Sequence, residues 1–144
     1  MNAAMNAAAA VSGLLSLTIQ ITQATQNYIA NISTLSHTVS SYLEELVCLK
    51  KTLSDIQDAI LFHSTAKSVL EVELIQHLPV AMLGECQSDL EQLYDLLQSG
   101  QGNTSVAILK RLTWPLRDGE TTKWVGILSR CRQQVQSSFI SSGL

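Results

Sequence analysis

Along the first sixty residues, one set of positions recurs at alternating spacings of three and four: Val11, Leu14, Thr18, Ile21, Thr25, Tyr28, Ile32, Leu35, Val39, Tyr42, Leu46, Leu49, Leu53, Ile56 and Ile60. Only the two threonines are not apolar. This period places every member on one side of an α-helix, so it predicts helix with a single buried face. One unbroken rod would run about 75 Å, against a radius of gyration of about 15 Å for a compact domain of this size. The stripe therefore folds back on itself unless the chain is an extended coiled coil. The weakest helical stretch is Asn31 to Ser41, where Ser, Thr, Asn and β-branched residues favour caps over helix interior. The turn is expected near Asn31 to Ser33, with Asn31 or Ser33 capping the second helix. The two helices then cover about residues 4–30 and 34–63.

A third segment starts near Thr65 and carries Val69, Val72, Leu74, Ile75 and Leu78. Pro79 interrupts it, because proline lacks the backbone donor and disfavours helix at the residue before it. The pattern resumes through Leu83, Cys86, Leu90, Leu93 and Leu97. Gly84 lowers helix propensity by about 1 kcal/mol without ending the helix. Ser99-Gly100-Gln101-Gly102-Asn103 reads as a stop and a loop. Thr104 or Ser105 can cap a short helix, Val106 to Leu112, which Trp114-Pro115 breaks. Asp118 is the expected cap of a last helix that buries Trp124, Ile127, Leu128, Cys131, Val135 and Phe139. The predicted fold is all-α: a multi-helix bundle of four long helices, plus the short helix before the Trp-Pro break. The 144 residues make one domain by length, and composition poor in Gly, Pro and aromatics agrees.

Charge adds an asymmetry. Glu44 to Asp95 holds ten acidic and three basic residues, and Lys110 to Arg132 holds six basic and two acidic ones. The plainer expectation is that these two regions face each other in the fold. The sharper one is a basic patch for anionic lipid. The net charge of −3 offers nothing to nucleic acid. Cys48, Cys86 and Cys131 are far apart and odd in number, which suits buried thiols in a reducing cytosol. The triplets Asn31-Ile32-Ser33 and Asn103-Thr104-Ser105 match a glycosylation acceptor that matters only in a secreted chain. A secretory signal is not expected, since no Lys or Arg precedes the apolar run.

No catalytic set emerges. The glycines form no phosphate-binding loop, and neither Gly-x-Ser-x-Gly nor His-Glu-x-x-His occurs. His37, His63 and His77 lack the spacing to meet Cys48 or Cys86 at a metal or as a nucleophile pair. No enzyme activity, cofactor, metal or small-molecule substrate is expected. Trp114 and Pro115 are structural anchors at the helix break.

The most unusual feature lies at the start. From Met1 to Leu43 there is no Asp, Glu, Lys or Arg. Opposite the buried stripe, the first helix carries Ser12, Ser16, Gln20, Gln23, Asn27 and Asn31. It is amphipathic without being charged, whereas a surface helix usually carries Lys and Glu on its outer face. A face hidden in some state and a merely Gln-rich solvated face are both open at this point. The strictly apolar run, Ala7 to Ile19, falls in the length class of core or interfacial helices rather than membrane spans. Conditional insertion is a separate matter. Ala3 to Ile29 has the length, Ser, Thr and Gln are cheaper in lipid than charges, and in an oligomer they can bond across helices or face a wet interior. Gly13 with Ala9 and Ala10 would allow close backbone approach.

Val11-Ser-Gly-Leu-Leu-Ser-Leu-Thr-Ile-Gln-Ile-Thr-Gln23, followed by Tyr28-Ile29, resembles the opening of the N-terminal helical domain of fungal STAND (NLR-like) receptors. Leu112-Thr-Trp-Pro-Leu116, followed by an amphipathic helix, resembles the Leu-x-Trp-Pro element near the end of such domains, and the Cys86 helix fits between them. The resemblance covers nearly the whole chain. It implies a bundle akin to the HeLo-like cell-death domains, placed ahead of a nucleotide-binding oligomerisation module. On receptor assembly the bundle would act as effector, its first helix released toward a membrane. Two departures are visible: the Ala/Asn-rich lead MNAAMNAAAA stands where relatives often begin with Met and an acidic residue, and the second helix starts without charges. The residues expected to carry membrane targeting and oligomerisation are Val11, Gly13, Leu14, Leu15, Leu17, Ile19 and Ile21. The expected partners are another copy or a helical protein, with anionic membrane lipid on activation, and the expected location is cytoplasmic with movement to the plasma membrane. The alternative is a helical interaction or self-association module with no membrane step.

Overall fold

The computed structural model of the chain describes residues 3–30, 34–65, 80–99 and 116–141. They form an all-α bundle of four helices: α1 (Ala3–Ile29), α2 (His37–Thr65), α3 (Val80–Ser99) and α4 (Asp118–Ser141). The expected turn at Asn31–Ser33, the apolar segment before Pro79, the short helix Val106–Leu112 and the Trp114-Pro115 break lie outside the described residues, as does the side chain of Phe139.

The stripe of α1 and α2 does what its spacing requires. Val11, Leu14, Thr18, Ile21, Thr25, Tyr28, Val39, Tyr42, Leu46, Leu49, Leu53, Ile56 and Ile60 are all buried, and Leu35 is half-buried. The two helices fold back on one another as an antiparallel pair. Thr25 near the end of α1 meets Tyr42 near the start of α2, and Ala8, Ala9 and Ser12 face Gln57, Ile60 and Leu61 at the far end. From α3 the core receives Leu83, Cys86, Leu90, Leu93 and Leu97; from α4 it receives Trp124, Leu128, Cys131 and Val135, with Ile127 half-buried. Gly84 sits within α3 without breaking it.

Two helix starts differ from the expectation. The cap of α2 is Ser36, not Asn31 or Ser33. Its Oγ accepts the Val39 amide at 3.2 Å, and its carbonyl accepts the Ser40 amide at 3.0 Å. That satisfies donors left orphaned at a helix N-terminus. Several capping residues precede α2, and the one used is three before Val39, which must point inward. At α4, the Arg117 carbonyl accepts the Thr121 amide at 2.8 Å. Asp118 is therefore the first helical residue, where its carboxylate favours the positive end of the helix dipole.

Each helix packs chiefly against two others, in the cyclic order α1, α2, α4, α3. The α1·α3 and α2·α4 contacts are the most extensive, and α3·α4 the least. Neighbours α1 and α3 run parallel: the Tyr28 hydroxyl near the end of α1 donates to the Leu97 carbonyl near the end of α3 at 2.7 Å. Neighbours α3 and α4 run antiparallel, with Cys86 opposite Gln134 and Asp89 opposite Arg130. Helices α1 and α4 thus occupy opposite corners and share the same two partners.

Candidate functional site

The expected site residues lie on α1, a helix of 27 residues that is about 40 Å long. They do not form one surface. Val11, Leu14 and Ile21 are core, each at most 1% exposed. Leu15 and Leu17 are half-buried flanks packed against that core, and Ile19 is half-buried too. Gly13 is exposed. A membrane or a second copy meeting the inward residues would require α1 to leave the bundle.

The outer face of α1 is solvent-exposed in the folded chain. Ser12, Ser16, Gln20, Gln23, Gln26 and Asn27 all face water, so in this state the face is solvated. Gly13 lies among them, and a Cβ built on it would meet nothing within 4 Å. Glycine inside a helix costs about 1 kcal/mol relative to alanine, and no packing within the bundle calls for it. Helix α1 starts at Ala3, so most of the Ala/Asn-rich lead belongs to it.

The polar members of the buried stripe are each bonded. Thr18 Oγ1 donates to the Leu14 carbonyl at 2.7 Å, a bond back along the same helix. Thr25 Oγ1 and the Tyr42 hydroxyl lie 3.0 Å apart across α1 and α2. Burial pushes the Tyr42 phenol strongly upward, and its bond to Thr25 offsets this only in part. Burial raises Tyr28 as well. Both phenols stay neutral and keep α1 tied to α2 and α3 by hydrogen bonds without ions. Sequence reasoning placed these tyrosines in the core but not their partners; the signal was that a buried phenol needs one.

Beside α1 lies an apolar groove of about 310 Å³, lined by Ala8, Ala9, Ser12, Gln57, Ile60 and Leu61. Leu61 on its rim is 58% exposed. On the other side of the bundle, both described ion pairs join the acidic and basic regions: Arg130–Asp89 at 3.2 Å and Arg132–Glu45 at 3.2 Å. Cys86 and Cys131 are buried as expected, but Cys48 is exposed. It points away from the stripe because it sits between the inward Leu46 and Leu49, beside Val47, which is also exposed.

Among the described residues no group of three or more His, Cys, Asp or Glu side chains could hold a metal ion. Among them, too, no helix is long and apolar enough to cross a membrane. In α1 the deficit is polarity rather than length, since about 30 Å of hydrocarbon is shorter than the helix. No protein-family model, curated protein or solved structure matches the chain.

Proposed function

We propose that this chain is the signalling domain of a fungal NLR-like receptor. On oligomerisation its first helix leaves the bundle and targets a membrane, inducing regulated cell death. The single observation that carries the reading is the solvent-exposed outer face of α1, which holds no ionic group. A solvated face has no need to be free of charge; a helix that must also lie against lipid does, because Lys, Asp and Arg cost about 2.5–3.5 kcal/mol each at a membrane helix centre. The resemblance of Val11–Gln23 and Leu112–Leu116 to the fungal receptor domains adds the biological setting. Since α1 is too polar to span alone, it acts either in the interfacial plane or in an assembly whose polar faces meet each other or water. The exposed Gly13 would let neighbouring copies of α1 approach closely.

The test is leakage from vesicles of anionic and of neutral lipid, together with toxicity on expression. Ser16→Glu and Gln20→Glu lie on the outer face and leave the core intact. Each is expected to keep the fold, by circular dichroism, and to abolish leakage and killing. Folded Ser16→Glu protein that still permeabilises vesicles would sink the insertion step. The second reading, a helical self-association module with no membrane step, is favoured by the apolar groove and its exposed rim residue Leu61. It predicts association in solution and no sedimentation with vesicles in any assembly state.

A further inference from the structure

Where α3 meets α4, the least extensive of the four neighbour contacts, the buried residues Cys86 and Cys131 approach each other from facing helices. Cys86 Sγ is 4.0 Å from the Cys131 carbonyl oxygen and 3.8 Å from Gln134 Oε1. Cys131 Sγ is 4.0 Å from Asp89 Oδ2, so each sulfur reaches toward the helix that carries the other. We propose that Cys86 and Cys131 form a reversible oxidation site: a hydroperoxide closes a disulfide between them that clips α3 to α4.

The two sulfurs are not equivalent. The hydrogen bond from Cys131 holds the Cys86 thiol below its ordinary value, with help from Arg130 and against burial, Asp89 and Glu85. That same bond, then burial and the charges of Cys86 and Asp89, push Cys131 up. Since the thiolate is the nucleophile, Cys86 reacts first. Its sulfur attacks one peroxide oxygen, the O–O bond breaks, and the departing hydroxide takes up a proton and leaves as water (an organic hydroperoxide instead releases an alkoxide, which leaves as alcohol). Cys86 is then a sulfenic acid. The Cys131 sulfur attacks it, the S–S bond forms, the S–O bond breaks, and the leaving hydroxide takes the Cys131 proton as a second water. Two thiols are oxidised and one peroxide is reduced.

Access is provided by a polar groove of about 320 Å³ between α3 and α4, lined by Glu85, Ser88, Asp89, Arg130 and Gln134. Gln134 lines this groove and its Oε1 lies 3.8 Å from the Cys86 sulfur, so the groove reaches to within one side chain of the thiol. The clip falls where it changes most. Helix α3 takes far more of its packing from α1 than from α4, and a covalent bond would tie it to α4 independently of α1.

The experiment uses the 144-residue chain with Cys48→Ser, so that the exposed thiol cannot cross-link copies. The reduced protein is treated with hydrogen peroxide, unfolded, alkylated and weighed intact. The expected product has lost two hydrogens, takes no alkyl group, yields a Cys86–Cys131 linked peptide pair, melts at a higher temperature, and reverts with dithiothreitol. Cys131→Ala is expected to stop at a Cys86 sulfenic acid trapped by dimedone. Two alkylated thiols after treatment, oxidation to sulfinic acid without a link, or a link to a different partner would each overturn the proposal. The first readout needs no substitution in the core, so a variant that misfolds does not decide the matter.

Discussion

Helices α1 and α4 dock against the same two helices from opposite corners, yet they are held differently. Helix α4 combines a buried stripe, Trp124, Leu128, Cys131 and Val135, with ion pairs to both partners, Arg130 to Asp89 and Arg132 to Glu45. Helix α1 has a stripe of the same kind and no charged side chain; among the described residues, hydroxyls carry hydrogen bonds from it to its partners, Thr25 with Tyr42 and Tyr28 with the Leu97 carbonyl. Their outer faces differ in the same way. Asp118, Glu120, Lys123 and Arg130 are exposed on α4, whereas α1 exposes serine, glutamine and asparagine. The bundle evidently accepts charge on a corner helix. What keeps it from α1 is therefore not a requirement of the four-helix packing. An attachment without ion pairs from α1 is expected to be insensitive to ionic strength, which suits a helix that is to be released by assembly rather than by a change of salt.

The sharpest way to break this comparison is through the two stripes. Leu14→Ala and Leu128→Ala each remove a fully buried leucine, and each is expected to cost about 2–5 kcal/mol in urea unfolding. If Leu14→Ala costs well under 1 kcal/mol while Leu128→Ala costs several, α1 does not belong to the cooperative unit. In that case its release needs no trigger.

The hydroxyl fastenings come next. Tyr28→Phe removes one buried bond and is expected to cost about 1 kcal/mol, with no change between low and high salt. Tyr42→Phe should cost a similar amount at neutral pH, and it has a second signature. Folding raises both phenols above the ordinary value of 10.0, so the folded state keeps their protons longer than the unfolded chain does. Their contribution is fully present below about pH 10 and is lost as the pH climbs from there toward the folded values. Stability from urea curves taken on either side of pH 10 should therefore fall on the alkaline side, and less steeply in Tyr42→Phe. An unchanged alkaline slope in that variant would mean that the Tyr42 phenol is not buried as described.

Much of this architecture was legible because burial imposes a period. Thr18 and Thr25 were readable as members of the stripe despite their hydroxyls, since each can hydrogen-bond a carbonyl or a phenol within reach. The regional charge imbalance pointed correctly to contact between the acidic and basic stretches, as the pairs from α4 to Asp89 and Glu45 bear out. Individual partners were not legible. Cys86 meets Cys131 only because α3 and α4 run antiparallel at adjacent corners, and no local spacing encodes that. The cap at Ser36 was missed because Asn31, Ser33 and Ser36 have equal capping chemistry, and the choice falls to the direction in which Val39 must point. For the candidate site, the uncharged character of α1 was plain in the sequence. That the apolar residues expected to act there divide between core and flank depended on which helices surround it.

The smallest effect belongs to the ion pairs, and it tests the other half of the comparison. Arg130 is 58% exposed, while Arg132 and Glu45 are both largely covered. Exposed pairs contribute about 0.2–1 kcal/mol and are screened by salt. Arg130→Gln should thus cost at most a few tenths of a kcal/mol, with Arg132→Gln nearer the upper end of that range. Both losses should shrink as sodium chloride is raised toward 1 M, where the Debye length falls to about 3 Å. The unfolding free energy of Tyr28→Phe relative to the parent should stay constant over the same series. A salt-dependent Tyr28→Phe difference, or a salt-independent Arg132→Gln one, would erase the distinction between the two corner helices. With it would go the argument that α1 is fastened in a way its outer face was free to follow.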